Sequence, residues 1–105
     1  MKRIVLACAA GMSTSMVVTR MEKEAAARGL SYQIYAIPEQ NLREELQNYP
    51  GEIAVVLLGP QVRCKRAENK KLTDGEQIPI AVIDSLAYGT LNGAKVLDQA
   101  LALIN

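Results

Sequence analysis

The stretch Ile53-Ala54-Val55-Val56-Leu57-Leu58 carries six apolar residues in succession between the breakers Pro50-Gly51 and Gly59-Pro60-Gln61. Such a run has no polar side to give to water. Bracketed that tightly it reads as a strand covered on both faces, and it is far short of the ~20 residues needed to cross a bilayer. Arg3 to Cys8 repeats the pattern and ends in the small-residue turn Ala9-Ala10-Gly11. Sheets covered on both faces are parallel sheets with helical crossovers, so two such runs point to an α/β fold.

The rest of the chain fits around them. After Gly11, Thr14, Val18, Met21 and Ala25 fall at helical spacing, Ser13, Thr14 or Ser15 can cap the helix, and Gly29 can end it. Glu24 and Arg28 stand i to i+4 in the favourable order. Leu30, Tyr32, Ile34 and Ala36 alternate with polar residues and Tyr35, a period of two that suits an edge strand. Pro38 opens a short helix carrying Leu42, Leu46 and Tyr49, and Val62 to Leu72 reads as a helix with a thin apolar face. Ile78 to Ile83 reads as a fourth strand, which Pro79 assigns to an edge, and Asn92 can cap a last helix bearing Leu97, Ala100, Leu101 and Ile104. With the two fully apolar strands in the centre, the expected fold is a single open parallel four-stranded sheet, order 2-1-3-4, with helices on both faces. Its switch point lies between strands one and three, where ligands of open α/β sheets bind outside the carboxyl ends. Cys8 and Gly59 emerge there.

Composition excludes several kinds of chemistry. The 105 residues suit one domain spanning 1–105, and with half of them apolar and 22% charged the chain is expected to fold. There is no histidine, which removes the usual near-neutral acid/base, the Ser-His pair and histidine-containing metal sets. No metal or cofactor is expected. Twelve basic and eleven acidic residues leave no overall field for a nucleic acid or an anionic membrane. Two cysteines, Cys8 and Cys64, are too few for a disulfide framework, and a reducing cytoplasm is the natural setting. The opening Met1-Lys2-Arg3 resembles a leader, but only four apolar residues separate Arg3 from Cys8, so the segment reads as a strand.

The loop Cys8-Ala9-Ala10-Gly11-Met12-Ser13-Thr14-Ser15 carries the chemistry. It places a thiol beside the free amides of a helix N-terminus, whose partial positive charge and small residues suit a tetrahedral anion. A helix N-terminus also favours the thiolate, which is the nucleophile. The same residues equally describe a small buried hydrophobe at a strand end followed by a helix cap. Nucleotide motifs are absent: the chain has neither G-x-x-x-x-G-K-[ST] nor G-x-G-x-x-G.

Three segments, Cys8 to Ser15, Val56-Leu57-Leu58-Gly59-Pro60-Gln61 and Val82-Ile83-Asp84-Ser85-Leu86-Ala87-Tyr88-Gly89, give the whole chain a specific resemblance to the IIB component of the lactose/cellobiose (chitobiose) family of the bacterial sugar phosphotransferase system. The resemblance implies a cytoplasmic phosphoryl carrier. Cys8 would accept the group from a phosphohistidine of a IIA partner and pass it to a disaccharide in a membrane-embedded IIC partner, with Ala9 to Ser15 cradling the phosphate. Ala9 stands where relatives commonly have serine, and Arg63 to Lys71 is more polar than the corresponding family helix.

Two other readings compete. A small cysteine-dependent phosphatase or arsenate reductase would share the fold order and loop, but it would place an arginine clamp six residues after the cysteine, where this chain has Thr14. A thiol redox or adaptor domain would need a second cysteine near Cys8. Cys64, three residues before Ala67, is expected to face the core. Arg63, Lys65, Arg66, Lys70 and Lys71 against Glu68 alone make either a solvated face or a partner-steering patch. Asp84 is a helix cap or a general acid/base, and Gln61 and Tyr88 are candidate donors at the rim of the site.

Overall fold

In a computed structural model of the chain, residues 1–9 and 12–104 are described, the side chains of Met12 and Ser13 excepted. The strands are β1 (Lys2–Cys8), β2 (Tyr32–Pro38), β3 (Ile53–Leu58) and β4 (Ile80–Val82). The helices are α1 (Met12–Ala27), α2 (Leu42–Asn48), α3 (Arg66–Asp74), α4 (Ser85–Gly89) and α5 (Gly93–Ile104), and 3-10 turns at Glu39–Asn41 and Pro60–Lys65 lead into α2 and α3. All strand pairs are parallel in the order β2-β1-β3-β4, the arrangement expected from the apolar runs.

Alternation along β1 sends Ile4 and Leu6 to one layer and Val5 and Ala7 to the other. The first layer holds Val17, Met21 and Ala25 of α1 with Val96, Leu97 and Ala100 of α5. The second holds Leu42 and Leu46 of α2, Val62 and Ile78. Between Arg3 and Ile4 the pairing with β3 slips past Ala54, and this bulge puts Ile53 in the second layer while Val55 lies in the first. Each large aliphatic side chain fully removed from water contributes roughly 1.5–3 kcal/mol.

Helices α1 and α5 sit close to each other because a glycine lets them. A Cβ on Gly93 would stand 2.5 Å from the backbone carbon of Arg20 and 2.6 Å from the nitrogen of Met21, so only glycine lets the start of α5 approach α1. Just beyond the end of α1, Arg28 ties that end to the middle of α5, meeting Glu24 at 2.8 Å and Asp98 at 2.7 Å.

The structure corrects several expectations. In α1 the buried stripe runs through Val17, with Val18 only partly covered, and the helix starts at Met12, so the Ser13, Thr14 and Ser15 positions lie within its first turn and none precedes it as a cap. β4 spans three residues where Ile78 to Ile83 was expected; Gln77 turns the chain at φ 57° and Pro79 has no N–H to donate. Pairing nevertheless continues past the strand ends, with Val56 N donating to Pro79 O and Ile83 N to Leu58 O. Cys64 is exposed, as is Ala67, because the 3-10 turn aims Val62 inward and the chain then enters α3 with Asn69 and Thr73 on the buried side. Helix α4 had no bounds in the sequence reading, which offered only Asp84 as a helix cap.

Candidate functional site

β1 ends at Cys8 between two neighbours: Pro38 of β2 is its register partner, and on the other side Gly59 donates its N–H to Ala7 O at 2.9 Å, carrying the ladder one step beyond β3. Cys8 is 5% exposed, and its thiol approaches Ile37 O at 3.7 Å, a weak hydrogen bond. Gly59 has no side chain for a reason of space. A Cβ there would lie 3.3 Å from Cys8 Cβ and 2.9 Å from Gln61 Oε1, so the glycine keeps the thiol's flank open.

The helix that follows Cys8 points its N-terminus at the same end of the sheet. In its first turn Thr14 is 1% exposed, and its Oγ1 lies 2.7 Å from the phenol oxygen of Tyr88 on α4. Gln61 Nε2 donates to that phenol oxygen at 3.2 Å. Thr14, Gln61 and Tyr88 are thereby joined, and the Gln61 carbonyl oxygen lies on the face of Gly59 where a Cβ would stand. The cluster of Thr14, Gln61 and Tyr88 lies on segments that leave the same end of the sheet as Cys8, and the position at which a phosphatase would carry arginine holds a buried hydroxyl.

The remaining candidates fall outside this cluster or outside the described residues. Ala9 is exposed beside Cys8, and Ser15 is exposed with its carbonyl accepting from Thr19 Oγ1 at 3.0 Å. Ala10, Gly11 and the side chains of Met12 and Ser13, the middle of the expected cradle, lie outside the described residues. Asp84 caps α4, accepting the N–H of Ala87 at 2.9 Å. The sequence reading missed the role of Gly59, although a glycine directly after a buried strand was a usable sign. It also missed the Thr14 to Tyr88 bond. A cleft of about 390 Å³ between α2 and α3, lined by Glu39, Arg43, Lys65 and Asn69 among others, touches none of the clustered residues.

The fold is thus that of an α/β protein with a thiol at the exit of a central parallel strand, at the switch point of a 2-1-3-4 sheet and ahead of a helix N-terminus, where ligands of open α/β sheets bind. The described helices include none long and apolar enough to cross a membrane. The model of the family "PTS system, Lactose/Cellobiose specific IIB subunit" matches residues 3–99, and the chain belongs to that family, whose members act as phosphotransferases. It is 38% identical over 104 residues to the oligo-beta-mannoside-specific EIIB component of Bacillus subtilis, covering 99% of this chain and 97% of the relative. It is 41% identical over 105 residues to the cellobiose-specific EIIB component of Lactococcus lactis, with the same coverage. Among solved structures, the cellobiose-specific IIB component of Borrelia burgdorferi superposes with a TM-score of 0.77 at 41% identity, over 99% of this chain and 92% of that one. The lactose-specific IIB domain of Streptococcus pneumoniae shares the fold, with a TM-score of 0.84 at 17% identity over 99% and 98% of the two chains.

Proposed function

We propose that this chain is a cytoplasmic phosphoryl carrier of a bacterial sugar phosphotransferase system, one domain over residues 1–105, with Cys8 as the acceptor. The Cys8 sulfur, as thiolate, attacks the phosphorus of a IIA phosphohistidine; the S–P bond forms, the P–N bond breaks, and the imidazole nitrogen takes a proton. A sugar hydroxyl held by the membrane partner IIC, its proton taken up within that partner, then attacks the same phosphorus; the O–P bond forms and the S–P bond breaks to return the thiolate. Backbone amides from Ala9 to Ser15 hold the phosphoryl oxygens throughout. The sugar is proposed to be a disaccharide such as cellobiose or chitobiose. Relatives of 38–41% identity are named for oligo-beta-mannoside, galactose and cellobiose, so sugar choice is assigned to the membrane partner and not to this chain.

The observation that carries this reading is the position of Cys8 at the carboxyl end of β1, flanked by the switch-point glycine Gly59 and shortly ahead of α1. The test is phosphorylation by a labelled IIA protein followed by mass spectrometric location of the group. Cys8→Ser is expected to abolish labelling, and Cys64→Ser, at an exposed turn, to leave it intact. Label on another residue, or its loss in Cys64→Ser, would overturn the assignment.

A further inference from the structure

One phenol oxygen joins three segments that leave the carboxyl ends of three different strands. Thr14 follows β1 in the first turn of α1, Gln61 follows β3, and Tyr88 follows β4 on α4. The Gln61 nitrogen has no lone pair to offer, so it donates, and the Tyr88 oxygen accepts while sharing a second hydrogen bond with Thr14. The contact is shut off from water, with Thr14 1% and Tyr88 8% exposed. At its other end the Gln61 carbonyl oxygen lies against Gly59, which lies against Cys8. The position of the first turn of α1 relative to the thiol is therefore tied to α4 and to the exit of β3.

We propose that Tyr88 is a positioning residue for phosphoryl transfer: its hydroxyl, through Thr14 and Gln61, holds the amide-bearing start of α1 where the phosphoryl group on Cys8 will need it. The inference rests on the carrier reading of Cys8. Backbone dipoles stabilise a transferring group only when they are oriented in advance, and a displacement of an ångström in a positioning element is costly. A purely structural role for the phenol, satisfying a buried threonine, would show in stability and leave the chemical step alone.

The test is single-turnover transfer from a phosphorylated IIA protein, measured against donor concentration so that kcat and KM separate. Tyr88→Phe removes only the hydroxyl and is expected to slow kcat about fivefold to tenfold, the worth of one hydrogen bond, with KM unchanged. Thr14→Ser keeps the donor and should recover most of the rate lost in Thr14→Val. The double variant Thr14→Val/Tyr88→Phe should be no slower than the slower single, because both break one link. Should Thr14→Val fail to fold, Gln61→Leu cuts the other link and takes its place in the cycle. An unchanged kcat in Tyr88→Phe, a loss confined to KM, or losses that multiply in the double variant would overturn the inference. Wild-type protein that accepts no label on Cys8 overturns the carrier reading too, whereas a labelled wild type matched by an equally fast Tyr88→Phe overturns this inference alone.

Discussion

Tyr35 on β2 donates its phenol proton to the carboxylate of Glu45 and lies 3.5 Å from Arg3 Nη1, while the Arg3 guanidinium also rests 3.6 Å from the ring centroid of Tyr49. Burial first, and the hydrogen bond to Glu45 second, push the Tyr35 phenol up to about 12 from its usual 10.0. The folded value lies above the unfolded one, so its contribution to stability is fully present below pH about 10 and is lost as pH rises through about 12. An ultraviolet titration of tyrosinate should show a late step that Tyr35→Phe removes, and the wild-type unfolding midpoint should fall more steeply than the variant's across that window. Coincident curves would contradict the assignment. Neither the phenol's setting nor the exposure of Cys64 could be read from the sequence. Tyr35 depends on a carboxylate from another element. The Cys64 expectation took Ala67 for a core position, but Ala67 is itself exposed, because the buried side of α3 runs through the polar residues Asn69 and Thr73.

At the level of elements, α3 shows how a helix with few apolar residues still docks. Besides Val62 in the preceding turn and Leu72, its covered side holds Asn69 and Thr73, 2% and 0% exposed. Both are satisfied: Asn69 Nδ2 donates to Glu39 Oε2 at 3.0 Å and to Lys65 O at 3.1 Å, and Thr73 Oγ1 donates to Lys70 O at 3.2 Å. Hydropathy patterning shows apolar stripes and passes over polar groups that are buried because they are paired, which is why this face looked thin. Asn69→Ala is expected to destabilise the fold by about 1–2 kcal/mol in denaturant unfolding. Combined with Glu39→Ala, it should lose less than the sum of the singles, since one hydrogen bond is counted in both. Strict additivity would show that the Asn69 to Glu39 bond contributes nothing. Helix α4 was illegible for a different reason. Five residues are too few to show a period, and its sign was the capping aspartate Asp84 alone.

Over the whole molecule, what the sequence revealed was the sheet. Two strands apolar on both faces had to be central, the alternating and proline-flanked strands had to be edges, and that order alone brings Cys8 beside Gly59. The bond between Thr14 and Tyr88 spans 74 positions and follows only from the finished fold. It also bears on the proposed carrier role. To hydrolyse its own phosphocysteine, a protein of this shape must clamp the equatorial oxygens with a cation and orient a water with a base. Here the clamp position is Thr14, a neutral side chain buried against Tyr88, and the carboxylate that follows β4, Asp84, accepts the N–H of Ala87 as a helix cap. The phosphorylated protein is therefore expected to keep its phosphoryl group when alone and to lose it quickly when membranes bearing IIC and sugar are added. A generic aryl phosphate should not be turned over. Phosphorus NMR of the isolated phosphoprotein follows the first expectation and a chromogenic assay the second; rapid hydrolysis abolished by Cys8→Ser would make the protein a phosphatase.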